Sequence, residues 1–237
     1  MNLRALTIAL LVLLLPANAC AQAQGEYVAI GEDAIAYVPE GLRRDVPAPL
    51  LVLLHGHGGR PEDMLLSFRD EADRGGVLLL APRSQAATWD VVLHTAAAAR
   101  GGSARRRAAI PADAPRVLAA IEALAGWTPV DRRRIGLAGF SDGASYALWL
   151  GTREPERFGR LLLFSPGMAL LPRRLASEQR LFLTHGRRDR ILPFSISAGL
   201  AAQLRQRGLE PDFRPFDGDH ALIGDMVAQG VDWFVGE

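Results

Sequence analysis

Gly139-Phe140-Ser141-Asp142-Gly143 stands between an apolar run, Arg134-Ile135-Gly136-Leu137-Ala138, and a stretch of helical character, Ala144-Ser145-Tyr146-Ala147-Leu148-Trp149-Leu150. A serine on a sharp strand-to-helix turn has its hydroxyl pushed out at the sheet edge. Glycines two positions to either side let the chain turn there without a Cβ clash. Such a turn is a place to put a nucleophile. Five common residues carry little weight alone, so the reading depends on what surrounds them.

Upstream, Leu50-Leu51-Val52-Leu53-Leu54 is a continuous apolar run closed by His55-Gly56-His57-Gly58-Gly59. A short uninterrupted run bounded by glycines reads as a central strand buried on both faces, and the glycines leave backbone N–H groups free to face a ligand. Residues 61–74 open with a proline and two acids, then carry Met64, Leu65 and Phe68 at helical spacing; Gly75-Gly76 ends them. Val77-Leu78-Leu79-Leu80-Ala81-Pro82 is a second buried strand. Strand, helix, strand with short connections calls for a right-handed crossover and a parallel sheet.

Downstream the alternation continues. A helix is expected over 113–126, with Val117, Leu118, Ile121 and Leu124 on one face. Buried strands follow at Leu161-Leu162-Leu163-Phe164 and Leu181-Phe182-Leu183-Thr184-His185-Gly186. Helices are expected over 195–207 and 222–235, with an outer strand over 212–216 between them. Near the start, residues 34–38 alternate weakly up to Pro39 and read as an edge strand. The fold class is therefore α/β: one doubly wound, mostly parallel sheet with helices on both faces and no large cap domain. It occupies residues 34–237, preceded by a polar linker over 20–33.

The 237 residues suit one domain with a sizeable core. A formal charge of +1 argues against a general polyanion binder, so no nucleic-acid partner is expected. Every basic side chain is arginine, a compositional bias rather than a site. No His, Cys, Asp or Glu spacing suggests a metal, and no cofactor is expected.

Residues 1–19 are read as a signal peptide. Arg4 precedes the apolar run 5–15, then come Pro16 and Ala17-Asn18-Ala19, the charged, apolar, small-residue order of a secretory leader, too short to span a bilayer. The expected location is periplasmic or secreted. Cys20, the lone cysteine, cannot form an intramolecular disulfide. Placed directly after Ala19, it resembles the acylated cysteine of a bacterial lipoprotein, although Ala17 replaces the usual leucine-like residue. Membrane anchoring through lipidated Cys20 is the alternative to a soluble exported protein.

In a doubly wound sheet, ligands bind outside the carboxyl ends of the strands. The glycine cluster after Leu54, Ser141, Asp189 and His220 all fall there. A serine hydroxyl is a poor nucleophile at neutral pH. It needs an imidazole to take its proton, and a carboxylate to hold that imidazole in the right tautomer. Serine, acid, histidine is the chain order of the α/β-hydrolases. The sequence resembles the serine esterases of that fold, within them the phospholipase/carboxylesterase and dienelactone-hydrolase-like group. The resemblance covers nearly all of the chain after the leader. It rests on His55-Gly56-His57-Gly58-Gly59, on Gly139-Phe140-Ser141-Asp142-Gly143-Ala144, on His185-Gly186-Arg187-Arg188-Asp189-Arg190-Ile191-Leu192-Pro193 and on Gly218-Asp219-His220.

The resemblance implies that Ser141 is the nucleophile, Asp189 the acid and His220 the base. It also implies an oxyanion hole made of the backbone N–H groups of His57 and Asp142. A histidine in the His57 slot departs from the apolar or small polar residue usual there. The Asp142 side chain is expected to face solvent or cap the following helix. The implied activity is cleavage of a small carboxylic ester through an acyl-enzyme. The same machinery would serve a thioester or an amide, and a non-catalytic binding protein on the same fold is the reading from another class.

Other residues have blander readings. His55 and His185 end buried strands and suit structural hydrogen bonding; His94 suits a solvated loop; Asp217 and Asp219 suit a turn. Residues 83–109 read as a long binding loop or lid, with Arg105-Arg106-Arg107 a solvated face. Trp89, within that loop, is a candidate for lining the substrate pocket.

Overall fold

The computed structural model describes residues 25–99 and 112–236. The leader, Cys20 and Arg105-Arg106-Arg107 lie outside them. The chain runs β1 (Glu26–Ile30), β2 (Ala34–Val38), β3 (Ala48–Leu54), α1 (Pro61–Gly75), β4 (Leu78–Pro82), α2 (Asp90–Ala99), α3 (Asp113–Trp127), β5 (Val130–Phe140), α4 (Asp142–Gly151), β6 (Arg160–Phe164), β7 (Arg180–Gly186), α5 (Ser195–Gln206), β8 (Asp212–Phe216) and α6 (Gly224–Val235). The sheet order is β1-β2-β4-β3-β5-β6-β7-β8. From β4 to β8 all pairings are parallel; β1 and β2 join antiparallel.

The β3 run explains the layering. Side chains alternate across a strand, so a strand apolar at every position must be covered on both sides. Leu50, Val52 and Leu54 pack with Val117, Ile121 and Leu124 of α3, Ala144 and Leu148 of α4, and Leu200 and Leu204 of α5. Leu51 and Leu53 face the opposite layer, with Met64, Leu65 and Phe68 of α1 and Val231 and Phe234 of α6.

Three details differ from the sequence expectation. Residues 26–30, read as part of a linker, form β1, so the ordered fold starts before residue 34. In consequence 34–38 is no edge strand: β2 pairs with β1 on one side and β4 on the other, and β1 is the outer strand. Part of the loop read over 83–109 is helix α2. Its polyalanine run gave no amphipathic period to read, and only Val92 of the helix is buried. Two aspartates hold it in place. Asp90, first residue of α2, and Asp113, first residue of α3, exchange contacts: the Asp90 N–H reaches Asp113 Oδ2 at 2.9 Å and the Asp113 N–H reaches Asp90 Oδ2 at 3.1 Å. A carboxylate in the first turn of a helix is favoured by the unpaired N–H groups and by the helix dipole, and here each serves the other's helix.

The junction of β5 and α4 is crowded. A Cβ at Gly143 would lie 2.1 Å from the Leu54 carbonyl oxygen, and one at Gly139 would lie 2.3 Å from the Gly143 carbonyl carbon. In both cases the obstacle is backbone, which cannot rotate away. Gly143→Ala is therefore expected to lower the free energy of unfolding by about 1–3 kcal/mol, the usual cost of overpacking a dense core. Urea denaturation followed by circular dichroism measures it.

Candidate active site

The first residue of the site is set by the crowding just described. Ser141 has φ 57° and ψ −118°, a left-handed backbone unusual for a residue with a Cβ, at the point where β5 ends and α4 begins. Its N–H donates to the Phe164 carbonyl at 2.9 Å, and its carbonyl accepts from the Ser145 N–H at 3.1 Å. With the backbone held at both ends, the side chain projects beyond the carboxyl edge of the sheet and is 9% exposed.

The ends of β7 and β8 supply the partners. The ring of His220 lies with Nε2 2.9 Å from Ser141 Oγ and Nδ1 2.6 Å from Asp189 Oδ2. With Asp189 ionised, Nδ1 carries the proton and donates it to the carboxylate, so Nε2 is free to accept from the serine hydroxyl. The ring also rests on Phe140, centroids 4.8 Å apart. Asp189 Oδ1 accepts the N–H groups of Ile191 and Leu192, each at 2.8 Å. Burial would push the Asp189 carboxyl up, but the Leu192 N–H, the His220 ring and the Ile191 N–H together outweigh it and hold the group below the ordinary carboxylate value. Asp219 is engaged elsewhere. Its Oδ1 accepts from the N–H groups of Arg190 at 3.0 Å and His220 at 2.9 Å, as a turn residue does. Three residues separated by long stretches of chain thus form one chain of hydrogen bonds, able to withdraw a proton from Ser141 Oγ.

The glycine-rich loop after β3 lies on the other side of Ser141. A Cβ at Gly56 would sit 3.3 Å from Ser141 Cβ, which places this loop directly beside the nucleophile turn. The N–H groups of His57 and Asp142 have no acceptor among the described residues. Asp142, at the start of α4, has its N–H among the orphan donors of a helix N-terminus. The loop is braced by residues 84–89. The Gly58 N–H donates to the Ala87 carbonyl at 2.7 Å, the Ser84 N–H to His55 Nε2 at 3.2 Å, and Trp89 Nε1–H to the His55 carbonyl at 2.8 Å.

Trp89 does not line a pocket. Its side chain is 0% exposed, stacked on Tyr146 at 5.0 Å and packed near His55 at 5.1 Å. Its position after a site strand suggested a rim, but the indole N–H found a buried carbonyl and the ring a buried tyrosine, so it supports the loop from beneath. The Asp142 side chain also departs from expectation. It makes no capping bond; Oδ2 accepts from Thr88 Oγ1 at 2.8 Å and lies 3.6 Å from Nδ1 of the exposed His57 ring. The side chains of the two residues expected to supply the oxyanion N–H groups thus meet each other. Thr88 and Ser145 were not singled out from the sequence. Ser145 Oγ accepts the N–H groups of Gly167 at 2.9 Å and Met168 at 3.1 Å, tying the loop after β6 to α4. Nothing in the residue types marks either for that role.

The geometry is that of the α/β-hydrolases, and the comparisons agree with it. The family model for phospholipase/carboxylesterase matches residues 42–233, so the chain belongs to the phospholipase/carboxylesterase family. No curated protein sequence matches it. Among solved structures it is similar to the Staphylococcus aureus fluorophosphonate-binding serine hydrolase FphF, with 14% identity, TM-score 0.68, and coverage of 91% of this chain and 100% of that one. An S-formylglutathione hydrolase from Agrobacterium tumefaciens superposes with TM-score 0.63 at 16% identity, over 89% of this chain and 92% of that one. The Bacillus cereus carboxylesterase does so with TM-score 0.58 at 21% identity, over 90% and 94%.

His55 is buried and structural, with Nδ1–H donating to the Gly56 carbonyl at 2.8 Å while Nε2 accepts from Ser84. Burial, the largest influence, holds its pKa below the ordinary imidazole value. The unfolded chain therefore takes up this proton at a higher pH than the folded one. The stability that the neutral ring contributes is complete above about pH 6.5 and is lost as the pH falls toward and through the folded value. His55→Gln is expected to narrow the gap between urea midpoints measured at pH 7.5 and pH 5.5.

Proposed function

We propose that this member of the family is an exported serine hydrolase that cleaves small carboxylic esters through an acyl-enzyme. The observation that carries the reading is the hydrogen-bond chain from Ser141 Oγ to His220 Nε2 at 2.9 Å and from His220 Nδ1 to Asp189 Oδ2 at 2.6 Å. In the first half-reaction Ser141 Oγ attacks the ester carbonyl carbon as His220 Nε2 takes its proton. The tetrahedral intermediate collapses, the carbon–oxygen bond to the alcohol breaks, and the alcohol leaves with the proton from His220. Water then attacks the acyl-serine, again giving its proton to His220, and the acid is released as Ser141 recovers its hydrogen. Asp189 stays ionised and stabilises the imidazolium. The backbone N–H groups of His57 and Asp142 receive the developing oxyanion. Loss of one such donor costs about 2.7–4 kcal/mol in a comparable reaction.

Export is part of the proposal and rests on the leader-like order of residues 1–19. Anchoring through Cys20 is its variant form, and partition of the protein from cells into detergent separates the two.

Ser141→Ala is expected to abolish hydrolysis of short p-nitrophenyl esters and labelling by a fluorophosphonate probe, with an unchanged thermal melt. Turnover by that variant would remove the mechanism, and a wild-type protein that takes no label would favour a binding protein. A series of esters graded by acyl length, with a matched thioester, identifies the acyl group preferred. His57→Pro removes the N–H, whereas His57→Ala keeps it. The proline variant is expected to lose about 100- to 1000-fold in kcat and the alanine variant much less. Equal losses in the two would move the donor to another residue.

A further inference from the structure

Besides His55, the mechanism leaves a second buried imidazole unused. His185, near the end of β7, is 0% exposed and lies beside the acid of the site. Its Nε2 lies 3.1 Å from Asp189 Oδ2 and 3.0 Å from the Leu192 carbonyl, and its Nδ1 lies 2.7 Å from Ser197 Oγ in α5. A neutral imidazole has one N–H. Both oxygens at Nε2 can only accept, so the proton sits on Nε2, and Nδ1 accepts from the Ser197 hydroxyl. Ser197 is itself fully buried. The ring is further fixed by the edge-on contact with Phe194, centroids 6.0 Å apart at 82°.

We propose that His185 is a positioning residue for the proton relay: its Nε2–H donates to the Leu192 carbonyl and so fixes the turn that carries Asp189, with Nε2 also 3.1 Å from the Asp189 oxygen that His220 uses, and Ser197 locks the tautomer that makes this possible. The inference rests on the roles given to Ser141, His220 and Asp189 above. The two backbone N–H groups on Asp189 hold Oδ1 alone. Oδ2 has two imidazoles, His220 at 2.6 Å and His185 at 3.1 Å. A histidine that merely filled space would need its own hydrogen bonds satisfied, and the Leu192 carbonyl and Ser197 would suffice. Here that carbonyl belongs to the residue whose own N–H holds Asp189 Oδ1, and Nε2 lies 3.1 Å from the oxygen on which the orientation of His220 depends.

The contact has a second effect. With the positive end of its N–H dipole 3.1 Å from Oδ2, His185 limits how strongly Asp189 attracts a positive charge on the His220 ring. The other groups around His220 are Ser141 and the Phe140 ring, with Asp219 on its backbone N–H and Arg190 paired to Asp219. Around His185 the charged groups are Asp189 and, across Phe194, the guanidinium of Arg187. Removing His185 leaves Asp189 Oδ2 with His220 as its one imidazole neighbour, and so a stronger acceptor for that ring.

The test compares His185→Leu, which removes the donor, with His185→Gln, whose amide nitrogen can take the place of Nε2. Both are assayed with a p-nitrophenyl ester from pH 5 to 9, alongside thermal melts. In the leucine variant kcat on the alkaline plateau is expected to fall about 10- to 100-fold with KM within about 2-fold, and the acid limb to move up by about 0.5–1 pH unit. The glutamine variant is expected to recover most of kcat and to return the limb toward the wild-type position. Equal losses in both variants, in step with the melting temperature and with an unmoved limb, would reduce His185 to a packing residue. If the leucine variant does not fold, Ser197→Ala takes its place. It frees the tautomer and is expected to move the limb in the same direction by less, and an unmoved limb would again overturn the proposal. A readout without turnover keeps this inference separate from the reaction: the low-field proton NMR signal of the His220–Asp189 bond. A signal shifted by Ser197→Ala in a protein that hydrolyses nothing would retain the positioning role while removing the esterase. An active protein whose signal is unmoved would do the reverse.

Discussion

The contact of α4 with the end of β3 controls the site. Where Gly143 meets the Leu54 and His55 carbonyls there is no room for a side chain, since a Cβ would come within 2.1 and 2.5 Å of those oxygens. The helix can therefore approach the sheet closely enough for its first residue to follow β5 with almost no intervening loop. A chain that must leave a strand and enter a helix in one residue has few backbone conformations available. The one taken places Ser141 at φ 57°. The placing of the Ser141 hydroxyl, the orphan N–H of Asp142 and the nearness of the glycine-rich loop all follow from that approach.

Each side of the serine is held by a different means. On the donor side, three hydrogen bonds from residues 84–89 hold the loop, and Trp89 fills the space beneath it against Tyr146. In the proposed reaction such bracing matters, because groups that bind a developing charge gain most when they are in place before it forms. On the side of Asp189 and His220, two backbone N–H groups hold Asp189 Oδ1 and a second histidine, His185, lies 3.1 Å from Oδ2. All the polar contacts of Asp189 there favour its ionised form, and their sum exceeds the opposing effect of burial.

The layered fold was legible because its signals are local and repeated. Runs such as Leu50 to Leu54 and Leu161 to Phe164 are apolar at consecutive positions, and only a strand covered on both faces satisfies that. The misreadings lay where the local signal is weak or where its meaning depends on distant partners. Residues 26–30 carry a polar start that resembles a linker, yet they pair along the whole of β2. The alanines of α2 have no period, and the helix is anchored by an exchange between Asp90 and Asp113 that spans a stretch of chain. Trp89 could be placed near the site but not oriented, since orientation depended on the His55 carbonyl waiting for its N–H.

Sequence alone determined the alternation of elements, the strand-to-helix turn at Ser141 and the order in which serine, acid and histidine arrive, because spacing, periodicity and glycine placement act within a few residues. Tertiary structure alone decided which groups touch. It brought Asp189 rather than Asp219 to the His220 ring, turned Trp89 inward, linked Thr88 and His57 to the Asp142 carboxylate, and set His185 beside the acid. Those outcomes depend on distances of a few ångströms between segments far apart in the chain. Hydrogen-bond chemistry is sensitive to such distances, and residue order does not encode them directly.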